Sequence, residues 1–439
     1  MKAAVTAIVA VIIAVGGQGC APAIQQSGEA SLSRRIDLTV LSDKIETTTR
    51  NLGYSEQIAN DFTKMVLGWQ AGRENPIIAV LADKLAQARQ NERAGRISKT
   101  ELARIEQNVA EHLVAEIRGR IQTDDRLFDL ADATRHHKTQ CLGYTQVFYV
   151  TAVSIELAAV PINVLELEKR GPLPVGFSHV ACLVKLADGK VIMANVVPGG
   201  FISDPFAAAD TFEQTGGYLQ LKDKTNSLGI YRKIQILDEK GLAAYAYNNK
   251  ASAHNTARRF EQAITDCSKA IELSPMLAEA WNNRGVAYRN TGQIERAVGD
   301  YTRAVELNPN YPEALNNRGV AYAQLGRFEQ AISDYSRAIE LNPDFAEGYN
   351  NRANAYAKLH KFEQAVFDYN RAIDRNSTLA QAYGNRAVSL AILGKPQGAK
   401  RDLLRAVELN PQLRSYAMEM SKRFDITLDL ESTPLLAAK

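Results

Sequence analysis

Residues 278–311 read AEAWNNRGVAYRNTGQIERAVGDYTRAVELNPNY, and residues 312–345 read PEALNNRGVAYAQLGRFEQAISDYSRAIELNPDF. The two lines superpose without a gap, and the same frame continues on both sides. Proline recurs at Pro275, Pro309, Pro343 and Pro411, with Ser377 in the one remaining place. Counting units from Ala244, Ala278, Pro312, Ala346 and Ala380 aligns a column of small residues at Ala251, Gly285, Gly319, Ala353 and Ala387. Two further alanine columns run through Ala263, Ala297, Ala331, Ala365 and Ala399, and through Ala270, Ala304, Ala338, Ala372 and Ala406. Five units in register over 244–413 predict a solenoid, in which each unit buries its apolar face against its neighbours and the ends need caps.

The period and these columns resemble the tetratricopeptide repeat. The resemblance implies two antiparallel helices per unit, hence five helix pairs. Small side chains then mark close helix approach, with Tyr288, Tyr322, Tyr356, Tyr301, Tyr335 and Tyr369 filling the remaining space. It also implies that the sixth position, always asparagine (Asn249, Asn283, Asn317, Asn351, Asn385), faces a concave groove. An amide there can hydrogen-bond the backbone of an extended peptide without demanding particular side chains. The competing reading is that these amides only bridge neighbouring repeats. Glu279, Glu313 and Glu347 at the second position argue against an acidic chaperone tail as ligand. Position seven is basic (Lys250, Arg284, Arg318, Arg352, Arg386) and position twenty-three is aspartate (Asp266, Asp300, Asp334, Asp368, Asp402). A partly buried cation needs an anion close by, so a helix-to-helix ion pair is expected in most repeats. Gln412–Phe424, with Leu413, Tyr416 and Met420 on one face, is expected to cap the array, and Asp425–Lys439 to form a mobile tail.

At the other end, Lys2 and the apolar run Ala3–Val15 read as an export signal, too short for a stable span. Gly17-Gln18-Gly19-Cys20 resembles a bacterial lipobox, which implies lipidation of Cys20 and a membrane anchor in the cell envelope. Cleavage after Ala21-Pro22-Ala23 is the alternative, releasing a soluble exported protein. The remaining cysteines, Cys141, Cys182 and Cys267, have no Cys-x-x-Cys spacing, so neither zinc nor a disulfide framework is expected. Cys182 and Cys267 read as packing residues. The 439 residues carry 52 lysines and arginines against 49 aspartates and glutamates, a net charge of +3 that offers no reason to expect nucleic acid. With 46% hydrophobic residues the chain is foldable throughout, and its length implies two or three units.

Between signal and repeats, residues 24–125 read as helical. Leu102, Ile105, Val109, Leu113 and Ile117 keep the helical period behind a capping box, Ser98 to Glu101. From His136 the pattern changes. An apolar helix is expected from Cys141 to about Leu157, then a loop with Gly171, Pro172 and Pro174. A hairpin of Phe177–Leu186 with Lys190–Val197 and a strand at Ile230–Leu237 follow. Gln140-Cys141-Leu142-Gly143-Tyr144, Ser178-His179-Val180 and Asp188-Gly189-Lys190 leading to Asn195 resemble the transglutaminase-like branch of the papain-like thiol fold, over roughly 125–237. The resemblance implies Cys141 as nucleophile, His179 as its base and Asn195 as the orienting residue. A helix N-terminus favours a thiolate, which suits that role. His136 and His137 with Cys141 make a poor metal set, since adjacent residues rarely ligate one ion from a shared face. No metal or other cofactor is expected.

The hairpin supplies a geometric condition. A two-residue Asp188-Gly189 turn would set Cys182 opposite Asn195 and turn Asn195 away from the face of His179. A three-residue loop Ala187-Asp188-Gly189, with Gly189 left-handed, pairs Leu186 with Lys190 and Ala181 with Asn195, and is the expected register.

The chain is thus expected to be α+β followed by all-α: a signal at 1–20, helices over 24–125, a thiol domain at 126–240, repeats at 244–413 and a cap with tail at 414–439. Its expected function is protein binding through the repeats, coupled to cysteine-dependent amide hydrolysis or acyl transfer. The alternative is a non-enzymatic envelope scaffold with a degenerate thiol domain.

Overall fold

The computed structural model describes residues 38–71, 75–123, 133, 138–139, 141–167, 171–172, 179–196, 202–207, 211–215, 218–222 and 231–428. The signal with Cys20, the residues Gln140, His136, His137 and Ser178, and the tail beyond 428 lie outside the described residues. Two compact units divide within the first repeat, one reaching Ala253 and including Lys269–Pro275, the other comprising His254–Ser268 and the chain from Met276.

In the first unit, α1 (Leu38–Asn51), α2 (Glu56–Leu67), α3 (Ile77–Arg93) and α4 (Lys99–Arg120) fall within the stretch 24–125 expected to be helical, of which 24–37, 72–74 and 124–125 lie outside the described residues. The short pair β1 (Gln70–Ala71) and β2 (Asn75–Pro76) lies between α2 and α3. Both bonds of the Ser98–Glu101 capping box are present. The buried stripe of α4 differs from expectation at one place: Ile105 is half-buried and Glu106 takes the inward position at 5% exposure. A carboxylate is tolerated there because it accepts the Ala187 N–H (2.6 Å) and pairs with Arg89 (3.3 Å).

Then come β3 (Gln122–Thr123), β4 (Lys138–Thr139), α5 (Cys141–Ser154), β5 (Ala158–Leu167), β6 (Gly171–Pro172), β7 (His179–Lys185) and β8 (Val191–Ala194). β9 (Phe212–Thr215), β10 (Tyr218–Leu221) and β11 (Tyr231–Ile236) complete an antiparallel sheet of order β8-β7-β5-β11-β10-β9, with β6 beside β5. The stretch expected as a loop after α5 is in fact the central strand β5. Pro161 disguises it, since proline cannot donate to a ladder, but its carbonyl is used, accepting from Leu237 N–H at 2.8 Å. Ile162, Leu183, Met193, Phe212, Leu219 and Ile234 make one apolar cluster on the sheet.

The hairpin β7–β8 has the three-residue register. Leu186 N–H donates to Lys190 carbonyl (2.9 Å), Gly189 N–H to Leu186 carbonyl (3.0 Å), and Gly189 has φ +88°. The ladder pairs Lys185 with Val191 and Cys182 with Ala194.

The first repeat supplies α6 (Glu239–Thr256), which starts five residues before the expected unit boundary, and α7 (Phe260–Leu273). Four antiparallel pairs follow: α8 (Ala278–Asn290) with α9 (Ile294–Leu307), α10 (Pro312–Gln324) with α11 (Phe328–Leu341), α12 (Ala346–Lys358) with α13 (Phe362–Arg375), and α14 (Ala380–Ile392) with α15 (Pro396–Leu409). The small-residue column has a steric cause: a Cβ on Gly285 or Gly319 would lie 2.7 Å from the ring of Tyr301 or Tyr335. A 3₁₀ turn, Pro411–Leu413, and α16 (Arg414–Arg423) close the array, with Tyr416 and Met420 on the Leu403–Val407 cluster. Ile426, expected in the tail, is 5% exposed and joins that cluster, so the cap extends past α16.

Candidate functional site

Cys141 is the first residue of α5, His179 the first of β7, and Asn195 follows the last residue of β8. The side chains of Cys141 and His179 lie outside the described residues. Extending the ladder from Cys182–Ala194 sets Ala181 opposite Asn195, so positions 179 and 195 share one parity as diagonal neighbours. That parity also carries Ala181, Leu183 and Met193 into the sheet's apolar cluster. Any meeting with a group on α5 is therefore at the open end of the hairpin, where β8 has already left the ladder. The first turn of α5 lies at that end: Thr145, one turn after Cys141, donates its hydroxyl to the Val180 carbonyl at 2.8 Å. Arg118 of α4 also reaches it, its Nε donating to the Val196 carbonyl at 2.9 Å and its Nη2 to the Asn195 carbonyl. Neither Thr145 nor Arg118 was legible as part of this region, because both act on backbone carbonyls, which carry no signal in sequence. Asn195 itself is buried, at 6% exposure.

Cys182 and Cys267 are fully buried, and burial pushes both thiols up, as suits packing residues.

In the repeats, the expected ion pairs are present and bidentate in four units. Arg284 grips Asp300 (2.7 and 2.9 Å), Arg318 grips Asp334 (2.7 and 2.7 Å), Arg352 grips Asp368 (2.7 and 2.8 Å) and Arg386 grips Asp402 (2.7 and 2.7 Å). The remaining guanidinium nitrogen reaches back one repeat, to Ser268, Thr302, Ser336 and Asn370. In the first repeat His254 Nδ1 stands 3.0 Å from Asp266. The asparagine column is partly engaged in the same way. Asn317, Asn351 and Asn385 each donate one Nδ2 hydrogen to the Oδ1 of Asn282, Asn316 and Asn354 in the preceding repeat, at 2.9–3.0 Å. Bridging is thus a real role of these amides, and a primary amide has a second N–H and a carbonyl beyond it.

Family models for the tetratricopeptide repeat match residues 244–275, 267–299, 312–345, 346–379 and 380–413, and one for the TPR repeat matches 287–326. Residues 244–413 are therefore tetratricopeptide repeats, a module of protein–protein interaction. No match was found among curated proteins. Among solved structures, YrrB, described as a TPR protein with an unusual peptide-binding site, is 21% identical over 41% of this chain and 92% of its own, with a TM-score of 0.36. MamA 41-end from Desulfovibrio magneticus RS-1 is 18% identical over 39% of this chain and 97% of its own, TM-score 0.36. The first TPR of Spaghetti (RPAP3), bound to HSP90 peptide SRMEEVD, is 28% identical over 27% of this chain and 93% of its own, TM-score 0.26.

Proposed function

We propose that the protein holds an extended segment of a partner protein in the groove of its repeats, and that its N-terminal α+β unit is a transglutaminase-like thiol domain acting on a protein or peptide amide. In this reading the Cys141 thiolate attacks the amide carbonyl and the C–N bond breaks. The amine leaves with the proton that His179 took from the thiol. Water or a second amine then releases the acyl group from the Cys141 thioester. Asn195 orients the imidazole. The observation that carries the reading is the hairpin register, which gives positions 179 and 195 one parity, at the end of β7 that Thr145 of α5 reaches through the Val180 carbonyl. The groove amides of Asn249, Asn283, Asn317, Asn351 and Asn385 serve the partner's backbone, and the glutamates at the second position favour a segment without an acidic tail. Export, with Cys20 as a lipid anchor, belongs to the same proposal.

The test is alkylation of the full chain with iodoacetamide across pH, beside Cys141→Ala and His179→Ala. The buried Cys182 and Cys267 stay silent in the native protein, so labelling lost in Cys141→Ala reports that thiol. An activated thiolate labels at pH 7 roughly ten-fold or more faster than an ordinary thiol and slows on His179→Ala. Slow labelling indifferent to His179 would leave a scaffold, with the repeats as the working part.

A further inference from the structure

In an extended strand, successive carbonyls point to opposite sides. Past Ala194 they do not: the carbonyls of Asn195 and Val196 both meet the one guanidinium of Arg118. The backbone therefore leaves strand geometry at the residue that follows the ladder, and a side chain of α4 holds it there. Arg118 is half-buried, burial pulls its guanidinium below the usual arginine range, and among the described residues no carboxylate pairs with it. Among the described residues, its charge is met by these two carbonyl dipoles. A planar fork with fixed donor directions can hold two adjacent peptide planes at once, which a lysine ammonium cannot.

We infer that Arg118 is a positioning residue of the thiol site: by fixing the peptide planes of Asn195 and Val196 it sets the direction from which the Asn195 amide meets the imidazole of His179. This rests on the thiol reading above, and the experiment separates the two. The full chain is compared with Arg118→Lys, Arg118→Met, Asn195→Ala and the double variant Arg118→Lys/Asn195→Ala. The pH profile of Cys141 labelling and the hydrogen exchange of the peptide spanning 194–197 are read for each.

Arg118→Lys keeps the charge and the aliphatic stem, so it remains informative should Arg118→Met fold poorly. The expected result is exchange at 194–197 faster by about ten-fold, and a Cys141 profile displaced to higher pH as far as in Asn195→Ala. The double variant should be no worse than Asn195→Ala alone, because two residues acting through one geometry are not additive. A labelling profile that depends on His179 but is unmoved in both Arg118 variants overturns this inference and leaves the thiol site standing. A wild-type profile indifferent to His179 removes the thiol reading, and the positioning role with it.

Discussion

A single carboxylate shows how far residue chemistry departs from pattern. The helical period of α4 picks out Ile105, yet Glu106 is the residue turned inward, holding the N–H of Ala187 and the guanidinium of Arg89. Burial is the strongest influence on it and pushes its carboxyl above the usual glutamate value of 4.5, against the pull of those two partners. A folded pKa above the unfolded one means the native state binds the proton more tightly. The wild type should therefore gain stability relative to Glu106→Gln as pH falls from the raised value towards 4.5, and the difference should flatten above that window. Urea denaturation of the two proteins between about pH 4 and 8 reads this directly. A difference independent of pH would mean that the carboxyl is not perturbed in the fold.

At the scale of elements, the repeats are joined by polar ladders as well as by apolar contact. Each of four guanidinium groups binds an aspartate on the second helix of its own repeat and an oxygen of the repeat before. Asp368 is 1% exposed, so removing its partner strands a charge in the interior. Arg352→Met should cost about 3 kcal/mol of array stability, while Arg352→Met/Asp368→Leu should recover most of the loss, because replacing both members of a buried pair leaves no charge to desolvate. Denaturation of the two variants decides it, and a double variant as unstable as the single would show that the pair does more than satisfy itself. The asparagine bridges belong to the same scale. They link first helices of adjacent repeats, with one N–H of each of Asn317, Asn351 and Asn385 engaged.

Across the whole molecule, two compact units meet the chain's length, and the repeat unit depends on its end as a solenoid must. The cap buries Ala417, Met420 and Ile426 against Leu403 and Val407. A chain ending at Asn410 exposes that face. With about 1.5–3 kcal/mol for each large apolar side chain left unburied, the last repeat should melt several degrees below the rest, seen as a separate low-temperature phase in calorimetry. A single unchanged transition would mean the array ends without needing a cap. Much of this architecture was legible beforehand, because repetition multiplies a weak local signal. Five copies of one unit fix the helix pairs, the ion-pair columns, the small residues beneath Tyr301 and Tyr335, and the cap. The loop Ala187-Asp188-Gly189 was legible too, since glycine alone takes a left-handed φ without strain. What the tertiary structure alone decided is everything that depends on backbone meeting side chain at long range: the strand hidden behind Pro161, the inward Glu106, and the two carbonyls held by Arg118. A carbonyl is the same atom in every residue, so its partner is chosen by how the chain folds back on itself and not by any letter of the sequence.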